Sequence, residues 1–217
     1  MAAKSLQELF VEELRDMYDG EKRLTKALPK LARAASSAEL QRAFTSHARE
    51  TERQVGRLEQ VFRAIGETPR GKKCEGIMGI VEESNTAMKE LDGAVLDAAL
   101  IAGAQKVEHY EIASYGTLAQ FAETLGHMKA KDLLGTTLEE EKAADEKLNS
   151  IATSEVNHEA AMGEDARGAD ESGFSLSGTA RRAASAMGLA QERPSGRVRR
   201  SASVGRRSGA RKATKKR

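Results

Sequence analysis

Tryptophan is absent from this 217-residue chain, aromatic residues make up only 4% of it, and proline occurs just three times, at Pro29, Pro69 and Pro194. A core built on large rings is thereby excluded. Leu, Ala, Ile, Val and Met must pack it, and the abundance of Ala, Leu, Glu and Lys in the first three quarters favours helices throughout. One cysteine, Cys74, excludes an internal disulfide framework and fits a reducing, cytoplasmic setting. The N-terminal stretch MAAKSLQELFVEEL carries acids where a signal peptide would need an apolar run. Nowhere is there a run of about 18 apolar residues, so no segment is expected to span a membrane.

What is present divides in two. The net charge of +2 hides an asymmetry: residues 172–217 hold 13 Lys/Arg and a single acid, Glu192, a net +12. The remaining 171 residues therefore hold 22 bases and 32 acids, a net −10. An acidic body joined to a basic tail calls for two accounts.

Hydrophobic periodicity organises the body. Ser5-Leu6-Gln7-Glu8 has capping-box spacing and predicts a helix start, with an apolar stripe through Phe10, Leu14, Met17, Leu24, Leu28 and Leu31 and a late kink at Pro29. Ser36-Ser37-Ala38-Glu39 predicts a second start, and that helix runs to Ile65, with Gly66 closing it and Pro69 beyond. A loop over 67–73 leads to a shorter helix from Cys74 to Leu91. After Asp92-Gly93, a third bundle helix runs from Ala94 to Leu125, ended by Gly126, and a fourth from Lys129 to Ser154. The expected fold is all-α: two helical hairpins joined by one long crossover with a short extra helix, which is ferritin-like connectivity. The bundle is assigned to residues 1–158. Residues 159–217, rich in Gly, Ser, Ala and Arg, lack the apolar surface to offset ordering entropy and are expected to be disordered.

The informative acids are those inside apolar stripes. Glu21 interrupts the first stripe. The second reads Leu40, Phe44, His47, Glu50, Gln54, Leu58, Val61. The third reads Ile101, Ala104, Glu108, Glu111, Tyr115, Leu118, and the fourth Leu134, Leu138, Glu141, Asp145, Leu148. Glu21 lies 15 residues before Ser36 and Glu50 14 after it, while Glu108 lies 18 before Gly126 and Glu141 15 after. At 1.5 Å per residue the mismatch in either hairpin is at most roughly 5 Å, so the acids within each hairpin are level. Several buried carboxylates at one level cannot all stay ionised without compensation. Two divalent cations would remove the conflict, and oxygen ligands with a histidine suit iron or manganese. Glu21, His47, Glu50, Glu108, Glu111, Glu141 and Asp145 are therefore the candidate metal ligands, with Gln54 competing with His47 for a place. His109 reads as outside the ligand set, His127 and His158 as surface residues, and Tyr18 and Tyr115 as packing residues.

Leu14-Arg-Asp-Met-Tyr-Asp-Gly-Glu-Lys-Arg-Leu, Lys72-Lys-Cys-Glu-Gly, Gln105-Lys-Val-Glu-His-Tyr-Glu-Ile-Ala-Ser-Tyr-Gly-Thr-Leu and Leu138-Glu-Glu-Glu-Lys-Ala-Ala-Asp-Glu-Lys-Leu resemble the YciE/YciF group of ferritin-like stress proteins. The resemblance covers about residues 4–155. It implies a bundle that forms homodimers rather than a large cage, and a di-iron centre with ferroxidase activity, dioxygen or hydrogen peroxide being the oxidant. Glu108 and Glu141 are 33 residues apart, the spacing of the corresponding glutamates in bacterioferritin-like proteins. Those proteins also carry Glu-x-x-His in two helices. Here Arg53 and Ala144 stand at those positions, with Gln54 and Asp145 the nearest replacements.

Two functional readings follow. In one, two iron ions sit with Glu50 or Glu108 as bridges and Glu21 and Glu141 as terminal ligands, and the protein is an oxidoreductase; manganese with catalase-like chemistry is the variant on the same ligands. In the other, the acids are structural and the bundle works through partners. The tail adds a compatible role. Arg197, Arg199, Arg200, Arg206, Arg207, Arg211, Lys212, Lys215, Lys216 and Arg217 resemble the basic arms of bacterial DNA-compacting proteins. They are expected to bind DNA phosphates by counterion release, without sequence choice and in association with the nucleoid.

Overall fold

The computed structural model describes residues 4–163, all of them within the first of the two units into which the chain divides, Met1–Ser172. The ten basic positions assigned to DNA and nearly all of the segment from 159 onward lie outside the described residues. The elements are α1 (Leu6–Ala34), α2 (Ala38–Ala64), α3 (Glu75–Glu90), α4 (Gly93–Thr124) and α5 (Met128–Ile151), followed by a π-helical turn, Ala152–Val156. The backbone stays helical to Gly163, since Ile151, Ala152 and Val156 bury against the core. Among the described residues no strand occurs, and no helix is long and apolar enough to cross a membrane.

Local signals set the helix ends. Ser5 Oγ accepts from Glu8 N at 3.1 Å, capping α1 as its sequence predicts. The α2 cap falls one residue later than the Ser36–Glu39 spacing suggests: Ser37 Oγ accepts from Leu40 N at 3.3 Å. Ser36 is drawn off because buried Asp97 of α4 takes both turn amides, from Ser36 N at 2.8 Å and Ser37 N at 2.7 Å. Gly66 and Gly126 close α2 and α4 with φ of 78° and 77°, a left-handed conformation that only glycine adopts at little cost. In both turns the next amide reaches back into the helix, Glu67 N to Phe62 O at 2.9 Å and His127 N to Ala122 O at 2.8 Å. α1 runs through Pro29 to Ala34.

α1 packs on α2, α2 on α5, α5 on α4 and α4 on α1, closing a four-helix square. The crossover carries α3 against α1 and α4. This is the ferritin-like bundle with one long crossover that periodicity predicts. Its core comes in two apolar clusters. One is built on Phe10, Leu14, Met17, Phe62, Tyr115 and Leu118. The other is built on Leu24, Leu28, Phe44, Leu100, Ile101 and Ile151. In chain order the acids Glu21, Glu108, Glu111 and Glu141 fall where each helix passes from one cluster to the other.

Candidate metal centre

Helical spacing aims one or two polar side chains from each bundle helix into this level. Glu108 and Glu111, three apart on α4, share a face. His47 arrives from α2, Glu141 from α5 and Glu21 from α1. Glu21, Glu108, Glu111 and Glu141 are each no more than 1% exposed, and His47 is 9% exposed. His47, Glu108, Glu111 and Glu141 each offer a ligand atom, and these atoms all lie within 4.8 Å of one another. His47 Nε2 lies 3.2 Å from Glu108 Oε1 and 3.9 Å from Glu141 Oε2. Glu21 is fixed by the buried Tyr115 hydroxyl, which donates to its Oε1.

The charge problem is visible in the titration of the group. Burial pushes the Glu21 carboxyl up to about 7, against the pull of the Tyr115 hydrogen bond and of His47. Burial together with Glu21 and Glu108 pushes Glu141 up to about 10. Burial, then Glu21 and Glu141, drive Glu111 well above the usual carboxylate range. Burial opposes a charge on His47, yet its contacts with Glu108 and Glu50 hold the imidazole well above its ordinary value.

The same groups fit a metal. Among the described residues, Glu21 Oε2, His47 Nδ1, Glu108 Oε2, Glu111 Oε1 and both oxygens of Glu141 are buried without a hydrogen-bond partner. Buried polar atoms are rarely left so, because each costs about 1–3 kcal/mol. His47, Glu108, Glu111 and Glu141, from three helices, form a donor set of three carboxylates and one imidazole that suits hard or borderline divalent cations. Glu21 of α1 lies outside that 4.8 Å group but interacts with it electrostatically.

Two sequence candidates stand apart. Glu50 is 28% exposed and binds Arg53 Nη2 at 3.2 Å, with His47 Nδ1 at 3.9 Å. His47, and then desolvation working against it, set its titration, and the carboxyl is held below its usual range. The buried α2 position is Thr51, 1% exposed with an unpartnered hydroxyl. At 100° per residue Thr51 lies about 40° from the direction of His47 and Glu50 about 60° to the other side, nearer solvent. Asp145 is 23% exposed and turned toward α4, 3.4 Å from both Gln105 Nε2 and His109 Nε2. Gln54 is fully buried, but its amide donates to Glu140 Oε2 at 3.1 Å. His109 and His158 are exposed. His127 is half-buried, stacked on Phe10 and 2.9 Å from Gln7 Oε1. Tyr18 donates to Glu59 at 3.0 Å.

Sequence periodicity misses the support of the cage. Arg57 grips Glu140 with two bonds, of 2.6 and 2.8 Å, and Thr137 at 2.8 Å. The Glu140 hydrogen bond, against desolvation, raises the Arg57 pKa and keeps a fixed cation near Glu141. The available signal was Arg57 three residues after Gln54, on the edge of the same stripe. Tyr115 reads as packing, yet its hydroxyl is what orients Glu21.

A family model described as "Domain of unknown function (DUF892)" matches residues 5–161. The chain is 49% identical to Protein YciF of Escherichia coli (strain K12) over 162 residues, 74% of this chain and 98% of that protein. It is similar to the crystal structure of the E. coli stress protein YciF, with a TM-score of 0.69 over 71% of this chain and 99% of that one. YcfI of Rhodopseudomonas palustris, 47% identical, gives 0.67 over 69% and 96%. A Xanthomonas campestris protein, 22% identical, gives 0.59 over 74% and 99% and shares the fold. The resemblance to the YciE/YciF group is borne out.

Proposed function

The chain belongs to the DUF892 family, and on that premise we propose that it holds two divalent transition-metal ions, iron foremost, and consumes dioxygen or hydrogen peroxide in a stress-linked oxidoreductase reaction. The observation that carries this reading is the set of orphaned buried ligand atoms on Glu21, His47, Glu108, Glu111 and Glu141. The chemistry such a pair supplies when bound is paired one-electron transfer, which spares the cell a lone radical product.

The residues of the chain do the rest. With the ions bound, the carboxylates would be ionised oxygen donors and His47 would be neutral and offer a nitrogen. Tyr115, whose pKa is driven well above 10 by burial and by Glu21, keeps its proton and holds Glu21 in place. Arg57 offsets part of the negative charge next to Glu141. Phe10, Met17, Leu24 and Leu100 in the clusters on either side keep bulk water away. Glu50, His47 and Glu108, with Lys147 opposite, line a cavity of about 190 Å³ between α2 and α5, a route by which a cation would reach the cluster. Manganese would use the same donors.

Elemental analysis of the purified chain tests the reading. About two ions per chain are expected, lost in Glu141→Gln, and a diferric absorbance should follow stoichiometric Fe(II) and peroxide. Equal metal content in wild type and variant would overturn it and favour an acid-stabilised, non-catalytic bundle.

The stress link draws on the description of the E. coli relative as a stress protein. The proposal extends to two partners. A second copy of the chain forms a homodimer, checked by sedimentation. DNA is bound by the +12 segment 172–217, and truncation near residue 172 should abolish salt-sensitive retardation, because the body is acidic.

A further inference from the structure

A second cavity, of about 470 Å³, opens between α1, α3 and α4. That volume is ordinary for a small-molecule site. Leu24, Leu28 and Leu31 of α1, Val81 and Met88 of α3 and Val107 of α4 make its walls, and His47 and Glu108 lie among its lining residues. It therefore ends on the polar level of the bundle. At one end α3 and α4 close on each other, since a Cβ on Gly103 would meet Ser84 Oγ at 2.6 Å, and Ala104 puts only a methyl into the lining.

Its mouth is basic. Lys22, Arg23, Lys26 and Lys30 line it, with Asp19 as the one acid at the rim. Asp19 is already engaged, by Arg23 Nε at 2.5 Å and by Cys74 N at 2.9 Å. The stretch from Lys22 to Ala34 contains five cations and no acid, although residues 1–171 as a whole carry net −10. Lys22, Lys26 and Lys30 are exposed and follow one another at steps of four, so equal charges are stacked on one helix face. Like-charge pairs at this spacing destabilise a helix. The helix dipole rewards cations in the last turn only, which accounts for Arg33 but not for Lys22 or Lys26. Lys22 Nζ also lies 5.0 Å from the centre of the Tyr18 ring. A like-charge row above an apolar hollow suits an anion with an apolar body.

We infer that this cavity binds a small organic anion with an alkyl chain, its head on the Lys22–Lys26–Lys30 row and its chain along the leucines toward His47 and Glu108.

The test is calorimetric titration of decanoate, with decanol as the uncharged control, into the full-length metal-free chain. One decanoate per chain should bind. Lys22→Gln/Lys26→Gln/Lys30→Gln, at exposed positions that leave the fold intact, should weaken decanoate about tenfold and leave decanol unchanged. Ala104→Leu should weaken both, with helicity checked by circular dichroism. Absence of binding to the wild type, or equal affinity in the triple variant, would overturn the inference. Metal content, measured in parallel, reports on the metal centre separately.

Discussion

Glu140 and Glu141 are neighbours in sequence and opposites in circumstance. Glu140 looks toward α2, where Arg57 and Gln54 satisfy it with three hydrogen bonds. Glu141 looks into the bundle, fully buried, with neither oxygen hydrogen-bonded. A fold that can supply a bidentate arginine to one carboxylate has withheld it from the next. The Glu140 patch is satisfied within the fold, and the Glu141 level is left unsatisfied, as a site for a cation would be. That is the pattern expected where functional sites violate the rules the rest of the molecule obeys.

The contrast can be broken most severely at its centre. Glu141→Gln should reduce metal affinity by at least about 100-fold, read by elemental analysis, while the melting temperature of the metal-free chain at pH 8 should rise, because folding no longer has to take up a proton at this position. Glu140→Gln should do the reverse. Metal content should persist, and the fold should lose about 2 kcal/mol in denaturant titration because half-buried Arg57 is left unpaired.

Titration offers the next largest effect. Glu21 and Glu141 have folded pKa values of about 7 and about 10 against an ordinary 4.5. The folded metal-free chain thus retains protons that the unfolded chain has released. Its stability from these groups is full below the ordinary value and is lost as pH rises through about 7 and on toward about 10. His47, also raised, has the same sign. Thermal melts with chelator should fall by roughly 5 °C or more between about pH 6 and about pH 9. Melts with bound metal should be nearly flat, since the ions replace the protons.

Two smaller changes sharpen the comparison. Tyr115→Phe keeps the ring in its cluster and removes only the donor to Glu21. It should cost about 1 kcal/mol and roughly tenfold in metal affinity. Glu50→Ala should alter stability by no more than about 0.5 kcal/mol and keep the bound metal. It should slow Fe(II) uptake at low salt, followed by stopped-flow absorbance, because a rim charge acts on encounter rather than on the bound state.

The helices were legible because each repeats its apolar residues at 3.6 and ends at a readable signal, such as Gly66 or Gly126. Glu21, Glu108, Glu111, His47 and Glu141 were legible because a charge inside an apolar stripe has nowhere to go but inward. Stripe membership was less reliable at its margins. Glu50 and Thr51 differ by one position, and only packing decides which of the two faces the core. Tyr115 was invisible as an orienting group, since a tyrosine in a stripe looks the same whether or not its hydroxyl meets a carboxylate from another helix.

The chain by itself, through periodicity, capping and charge distribution, determined that there would be four long helices, a crossover and, in the second hairpin, the acids Glu108 and Glu141 at matching heights. Those are local properties, set by turns a few residues long. Tertiary structure alone decided that the two hairpins would bring their acids to one level, that Arg57 would serve Glu140 and not Glu141, and that Asp97 would hold the first turn from across the bundle. These contacts join residues 60 or more apart in sequence. Their geometry depends on how two hairpins slide and rotate against each other, and no single helix carries that information.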